Sequence, residues 1–112
     1  KIRTFLASIA ILFSSSSFGL SISNYEKSID SKEIEIYLSG IGRGFLYSNL
    51  QLQEQGQNPL YCVPSTYSIG TKDYVEILES KIESLRAKKS GSSDFDIEPL
   101  LLFGLIERFP CK

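Results

Sequence analysis

Between residues 31 and 56 the chain reads SKEIEIYLSGIGRGFLYSNLQLQEQG, with apolar side chains at Ile34, Leu38, Ile41, Phe45 and Leu52 and Ser48 continuing the row. Steps of three and four put these positions on one face of a helix, so the spacing predicts one long amphipathic helix with Tyr37 and Asn49 flanking its stripe. Asp30 or Ser31 is placed to cap its start, and Gly56 to end it. A second stripe, Val75, Leu78, Ile82 and Leu85, runs through TKDYVEILESKIESLRAKKSG, residues 71 to 91. Thr71 stands at its N-cap position and Asp73 in its first turn, while Arg86, Lys88 and Lys89 suit the negative end of its dipole. A third helix is predicted for DIEPLLLFGLIERF, residues 96 to 109, with Asp96 as cap and Pro99 in the first turn, where its missing N–H costs little. Leu100 to Leu102 are apolar on consecutive faces, which marks this helix as the most buried. SISNYEKS, residues 21 to 28, is short enough for one further helical segment. The expected fold is a small all-α bundle of three to five helices joined by connectors at 57–70 and 90–95.

GIGRG, residues 40 to 44, falls inside the first long helix. A dinucleotide fingerprint needs G-x-G-x-x-G between a strand and a helix, and neither spacing nor context fits. Each glycine costs about 1 kcal/mol against Ala in a helix interior, so three of them need a packing reason. Gly40 and Gly44 lie one turn apart, and the expectation is that another helix closes on that face, with Gly42 on a different one.

The N-terminus sets the compartment. Lys1 and Arg3 precede FLASIAILF, an apolar run at 5 to 13 that SSSS at 14 to 17 interrupts. Such a run has the length of the apolar region of an export signal. It falls well short of the roughly 20 residues of a membrane-spanning helix. Ser17 and Gly19 supply the small residues wanted at −3 and −1, so cleavage is expected after Gly19. That divides the chain into a signal peptide at 1–19 and a single domain at 20–112, periplasmic and free of the membrane once processed.

The whole chain carries 12 basic and 13 acidic residues for a net charge of −1. Loss of Lys1 and Arg3 makes the remainder more acidic, and no basic cluster exceeds Arg86, Lys88 and Lys89, which argues against a nucleic-acid partner. In an exported small domain the only two cysteines, in NPLYCVP and FPCK, read first as a bridge between Cys62 and Cys111. They are too far apart for a C-x-x-C redox motif and too few for a zinc site; a free reactive thiol pair is the alternative. Closing so long a loop is worth about 4 kcal/mol in the chain-entropy account, a large share of the ~5–10 kcal/mol that holds a small domain together.

The catalytic inventory is thin. The chain has no histidine, so a cysteine nucleophile would lack its usual base. Glu33 with Glu35, and Glu76 with Glu79 and Glu83, lie on lysine-containing helices and read as solvated faces. No enzyme activity, cofactor or metal is expected, and a binding protein is the simplest reading.

The order YLSGIGRGFLYSN (37 to 49), PLYCVP (59 to 64), DYVEILESKIE (73 to 83) and LLLFGLIERFPC (100 to 111) resembles the immunity proteins of type VI secretion amidase effectors, the Rap/Tai-type family. The more specific elements are Tyr37 with Gly40 and Gly44, Tyr61-Cys62-x-Pro64, and Phe109-Pro110-Cys111. The resemblance implies a small helical periplasmic protein, often a homodimer, that binds a peptidoglycan-cleaving amidase and occludes its groove. The alternative is an HdeA-like acid-stress chaperone, which works by losing structure at low pH.

An inhibitor that fills a groove needs a protruding element. One is VPSTYSIG (63 to 70), tethered by Cys62, with Ser65, Thr66, Tyr67 and Ser68 at its tip and Tyr67 as the anchor. The other is SGSSDFD (90 to 96), where Phe95 lies between Asp94 and Asp96. Tyr47 and Phe95 are the candidates for a dimer interface.

Overall fold

Ser31 rather than Asp30 begins the long helix, because its side-chain oxygen accepts the Ile34 N–H at 3.3 Å. In the computed structural model, which describes residues 19–88 and 95–112, four helices follow one another: α1 (Ile22–Lys27), α2 (Lys32–Glu54), α3 (Thr71–Lys88) and α4 (Ile97–Arg108). The chain is all-α. Among the described residues the only strand-like pairing is one bridge between Ser21 and Asp96.

α2 closes as its sequence asks. Gly56 takes φ +72°, a conformation open to glycine without penalty. Its N–H reaches the Gln53 carbonyl at 3.0 Å and the Gln57 N–H reaches that of Leu52 at 2.9 Å, the paired bonds of a Schellman ending. The start of α3 differs from expectation. Gly70, not Thr71, holds the cap position: its carbonyl accepts the Asp73 N–H at 3.0 Å, and its own N–H donates to the Asp73 carboxylate at 2.7 Å. That is the backward half of a capping box, in which the third helical residue secures the residue before the helix. Asp96 sits at the cap of α4 as expected, but its side chain makes no capping hydrogen bond. The Ile97 N–H is met instead by the Leu20 carbonyl at 2.8 Å, and the Ile22 N–H by that of Phe95 at 2.9 Å. The predicted tail of α3 at 89 to 91 lies outside the described residues.

α2, α3 and α4 pack mutually, with α3 and α4 in most extensive contact. The core collects Ile34 and Leu38 from α2, Tyr74, Ile77, Leu78 and Ile82 from α3, and Ile97, Leu100, Leu101 and Leu105 from α4. Ile22 and Tyr25 of α1, Tyr61 of the connector and Phe109 just past α4 complete it. Leu102 is only half-buried and Phe103 is exposed, so α4 turns one flank to solvent. Among the described residues two exposed ion pairs join elements, Arg86 with Glu26 at 2.5 Å and Lys81 with Glu107 at 2.8 Å. Solvent screens both, so neither contributes much.

The glycine run is used in the opposite sense to that expected. A Cβ added at Gly40 or Gly44 would meet nothing, whereas one at Gly42 would overlap the Tyr74 ring. Helical phase explains the reversal: the buried positions of α2 are Ile34, Leu38, Gly42 and Asn49, so the inward row passes through Gly42 and on to Asn49. Gly104 of α4 plays the equivalent part beneath Ile77 and Lys81.

These two environments predict opposite signs. Gly42→Ala should lower stability by about 1–3 kcal/mol through overpacking, while Gly40→Ala should raise it by about 0.5–1 kcal/mol through lost chain entropy and better helix propensity. Urea unfolding followed by circular dichroism measures both, and equal effects would contradict this account of the packing.

Candidate functional site

Residues 57–70 contain two prolines and form neither helix nor strand, so their backbone groups need partners from elsewhere. Asn49 supplies those of Leu60 and Tyr61. Its side-chain oxygen accepts the Leu60 N–H at 2.6 Å and the Tyr61 N–H at 3.4 Å, while its nitrogen donates to the Tyr61 carbonyl at 2.6 Å. One buried amide thereby presents an acceptor and a donor to two successive residues, a task suited to Asn or Gln.

The next residue is held twice. The Cys62 N–H donates to the Phe109 carbonyl at 2.8 Å, and its sulfur is bonded to that of Cys111, with the two Cα atoms 4.9 Å apart. Tyr61, between these fastenings, is fully buried, and its hydroxyl has no partner among the described residues. Burial, with a smaller contribution from Tyr74, pushes its phenol up to about 12.

At its far end the connector is tied to α3. The Tyr67 hydroxyl donates to Asp73 at 2.7 Å, and the Tyr67 ring lies 5.5 Å from that of Phe109 at a tilt of 53°. The Asp73 carboxyl is held below the usual range, first by the Gly70 N–H and then by the Tyr67 hydroxyl. The same hydroxyl contact pushes the Tyr67 phenol up. Tyr67 is nevertheless 43% exposed, and Ser65, Thr66 and Ser68 beside it are exposed too. The expected anchor is therefore also a structural tie.

The second expected loop is described only in part. Asp94 lies outside the described residues. Phe95, 53% exposed, contributes with Pro99, Leu100, Phe103, Leu85 and Lys81 to an apolar groove of about 290 Å³ between α3 and α4. Tyr47, 62% exposed on α2, is far along the sequence from both. Among the described residues no group of three or more His, Cys, Asp or Glu forms a metal site, and no helix is long and apolar enough to cross a membrane.

The residue that sequence reasoning undervalued is Asn49, placed beside the stripe of α2 and found within it. The signal was present. Leu38, Gly42 and Asn49 are in helical register, and a proline-containing connector downstream lacked backbone partners.

Asn49→Leu should cost about 3 kcal/mol, because it strands the buried Tyr61 amide groups; hydrogen exchange should show Leu60 and Tyr61 losing protection first. Asp73 gives a pH signature. Its folded pKa is lowered, so the tie is intact above the ordinary aspartate range of about 4 and is lost as pH falls through the lower folded value. The Gly70 amide and Tyr67 ring NMR signals should titrate together below pH of about 4, and a midpoint at or above 4 would contradict the tie.

Compared with known proteins, the chain matches no family model, no curated protein and no solved structure.

Proposed function

We propose that this is an exported immunity protein, a non-catalytic inhibitor that binds a peptidoglycan-cleaving amidase and occludes its groove with the connector 63–70. The observation that carries the reading is that this connector is fastened just before its start, by Asn49 on Leu60 and Tyr61 and by the Cys62–Cys111 bridge, and again at Tyr67 and Gly70 by Asp73, while Ser65, Thr66, Tyr67 and Ser68 stay exposed. Binding costs less when a loop has little freedom left to lose, so a pre-fastened loop is what an inhibitor needs. The order of Tyr37, Gly40, Gly44, Tyr61, Cys62, Pro64, Phe109, Pro110 and Cys111, which resembles the Rap/Tai-type immunity family, supports the same reading. Assembly as a homodimer through Tyr47 or Phe95 belongs with it. The acid-stress chaperone remains the competing function.

The test is binding and inhibition of a peptidoglycan-cleaving amidase, the first candidate being any such enzyme encoded in a neighbouring gene. Tyr67→Ala should weaken binding at least about 30-fold, the mark of an interface hot spot. Tyr67→Phe keeps the ring and loses only the Asp73 bond, so it separates contact from support. Asp94→Ala and Phe95→Ala test the second loop; wild-type affinity in all four variants would eliminate both loops. Light scattering should give about twice the mass of the processed chain, residues 20–112. Helix content lost at pH of about 2–3 with apolar surface exposed, and no inhibition of the amidase, would favour the chaperone.

A further inference from the structure

Gly19 to Ser21 lie as an extended strap across the start of α4, held by the Ile97 N–H on the Leu20 carbonyl and by the N–H of Ile22, the first residue of α1, on the Phe95 carbonyl. The strap's outermost donor, the Leu20 N–H, meets Oε2 of Glu98 at 2.9 Å. The Tyr37 hydroxyl donates to that same oxygen. Oε1 of Glu98 is buried and has no partner among the described residues. Gly19 lies so close that a Cβ there would overlap both carboxylate oxygens.

An ionised carboxylate accepts at both oxygens, through about four lone-pair sites. Here, among the described residues, one oxygen takes two donors and the other takes none, beside a backbone nitrogen that can offer a single hydrogen. A positively charged nitrogen with several hydrogens, at the position of the Leu20 nitrogen, would complete the site. The sequence contains a route to one. Ser17 and Gly19 occupy the −3 and −1 positions of the expected export cleavage. Hydrolysis of the Gly19–Leu20 bond consumes one water; Gly19 leaves with the leader as a carboxylate, and the Leu20 nitrogen becomes an α-ammonium.

We propose that Glu98 is the receptor for the processed N-terminus, its carboxylate pairing with the Leu20 α-ammonium released by cleavage after Gly19. Departure of Gly19 opens the space beside Oε1, and the ammonium donates to Oε1 while keeping its bond to Oε2. A neutral hydrogen bond becomes a charge-assisted one, which is shorter and stronger. Export processing and the docking of α1 are then one event: the cut that frees the domain also completes the pair that fastens its first residue. The charged and titratable groups around the new terminus are Glu98 on α4, Asp96 just before it and Tyr37 on α2. Tyr37 stays protonated, since its bond to Glu98, followed by burial, pushes its phenol up to about 12.

The inference rests on the export reading, and its test separates the two. The full chain, with its own N-terminus, is produced in a bacterial host and recovered from the periplasm for intact mass and N-terminal sequencing. A chain beginning at Leu20 is expected. A periplasmic chain beginning elsewhere overturns the inference and leaves export standing; an uncleaved chain retained in the cytoplasm overturns both. Thermal unfolding is then compared for the processed protein, for a form with one Ala inserted after Gly19 so that Leu20 keeps an ordinary amide, for Glu98→Gln, and for both changes together. The insertion should lower Tm by about 4–8 °C in the Glu98 background and much less in Glu98→Gln; equal losses overturn the pairing. Should Glu98→Gln fail to fold, the α-amino pKa of the processed wild type decides by NMR. It should lie above its ordinary value of about 8, and an unshifted value overturns the proposal.

Discussion

A stretch of chain that forms no helix or strand must still satisfy its buried amides, and in this protein one side chain answers that requirement. Asn49 bonds the backbone on either side of the Leu60–Tyr61 peptide. Everything downstream inherits this placement. Tyr61 is driven into the core, Cys62 is set against Phe109, and its sulfur is delivered to Cys111 at the far end of the chain. The bridge then closes a loop containing α3 and α4, so the fastening made by a polar residue of α2 is locked covalently to the end of α4.

The same economy appears in the tyrosines. Tyr25 donates to Glu79, Tyr37 to Glu98 and Tyr67 to Asp73, and each pair joins elements distant in sequence or a connector to a helix. A phenol lends itself to this use because its ring packs with apolar neighbours while its hydroxyl reaches a partner at the edge. All three phenols are pushed up, Tyr25 by burial first, Tyr37 and Tyr67 by their carboxylate bonds first. They remain donors across the neutral range. With no histidine in the chain, these ties carry no switch near neutrality.

Function, on this reading, resides in what is fastened but left uncovered. The tip of the connector, residues 65 to 68, stays exposed although Tyr67 within it is tied to Asp73. The strap at Leu20 is the counterpart at the other end of the domain, where a backbone nitrogen and the Glu98 carboxylate hold α1 to α4. Both devices fasten irregular chain to helices with side chains rather than with a sheet.

The helices themselves were legible because their causes are local. Periodicity at three and four, Ser31 at a cap, Gly56 past an end and Pro99 in a first turn are written within a few residues of where they act, and α2, α3 and α4 appear within a residue or two of where those marks put them. The cysteine pair was legible for a different reason, there being only two candidates. What the sequence left open is the rotation of each helix about its axis. Three glycines in α2 satisfy several faces equally well on paper; only the position of Tyr74, brought in by α3, selects Gly42 and leaves Gly40 and Gly44 in open space. Asn49 reads as a flank until the connector folds back onto it. Glu98 reads as an ordinary first-turn acid until the strap and α2 bring Leu20 and Tyr37 to its carboxylate. Local spacing decides which segments become helices, and the mutual packing of side chains from distant segments decides which of their faces turn inward.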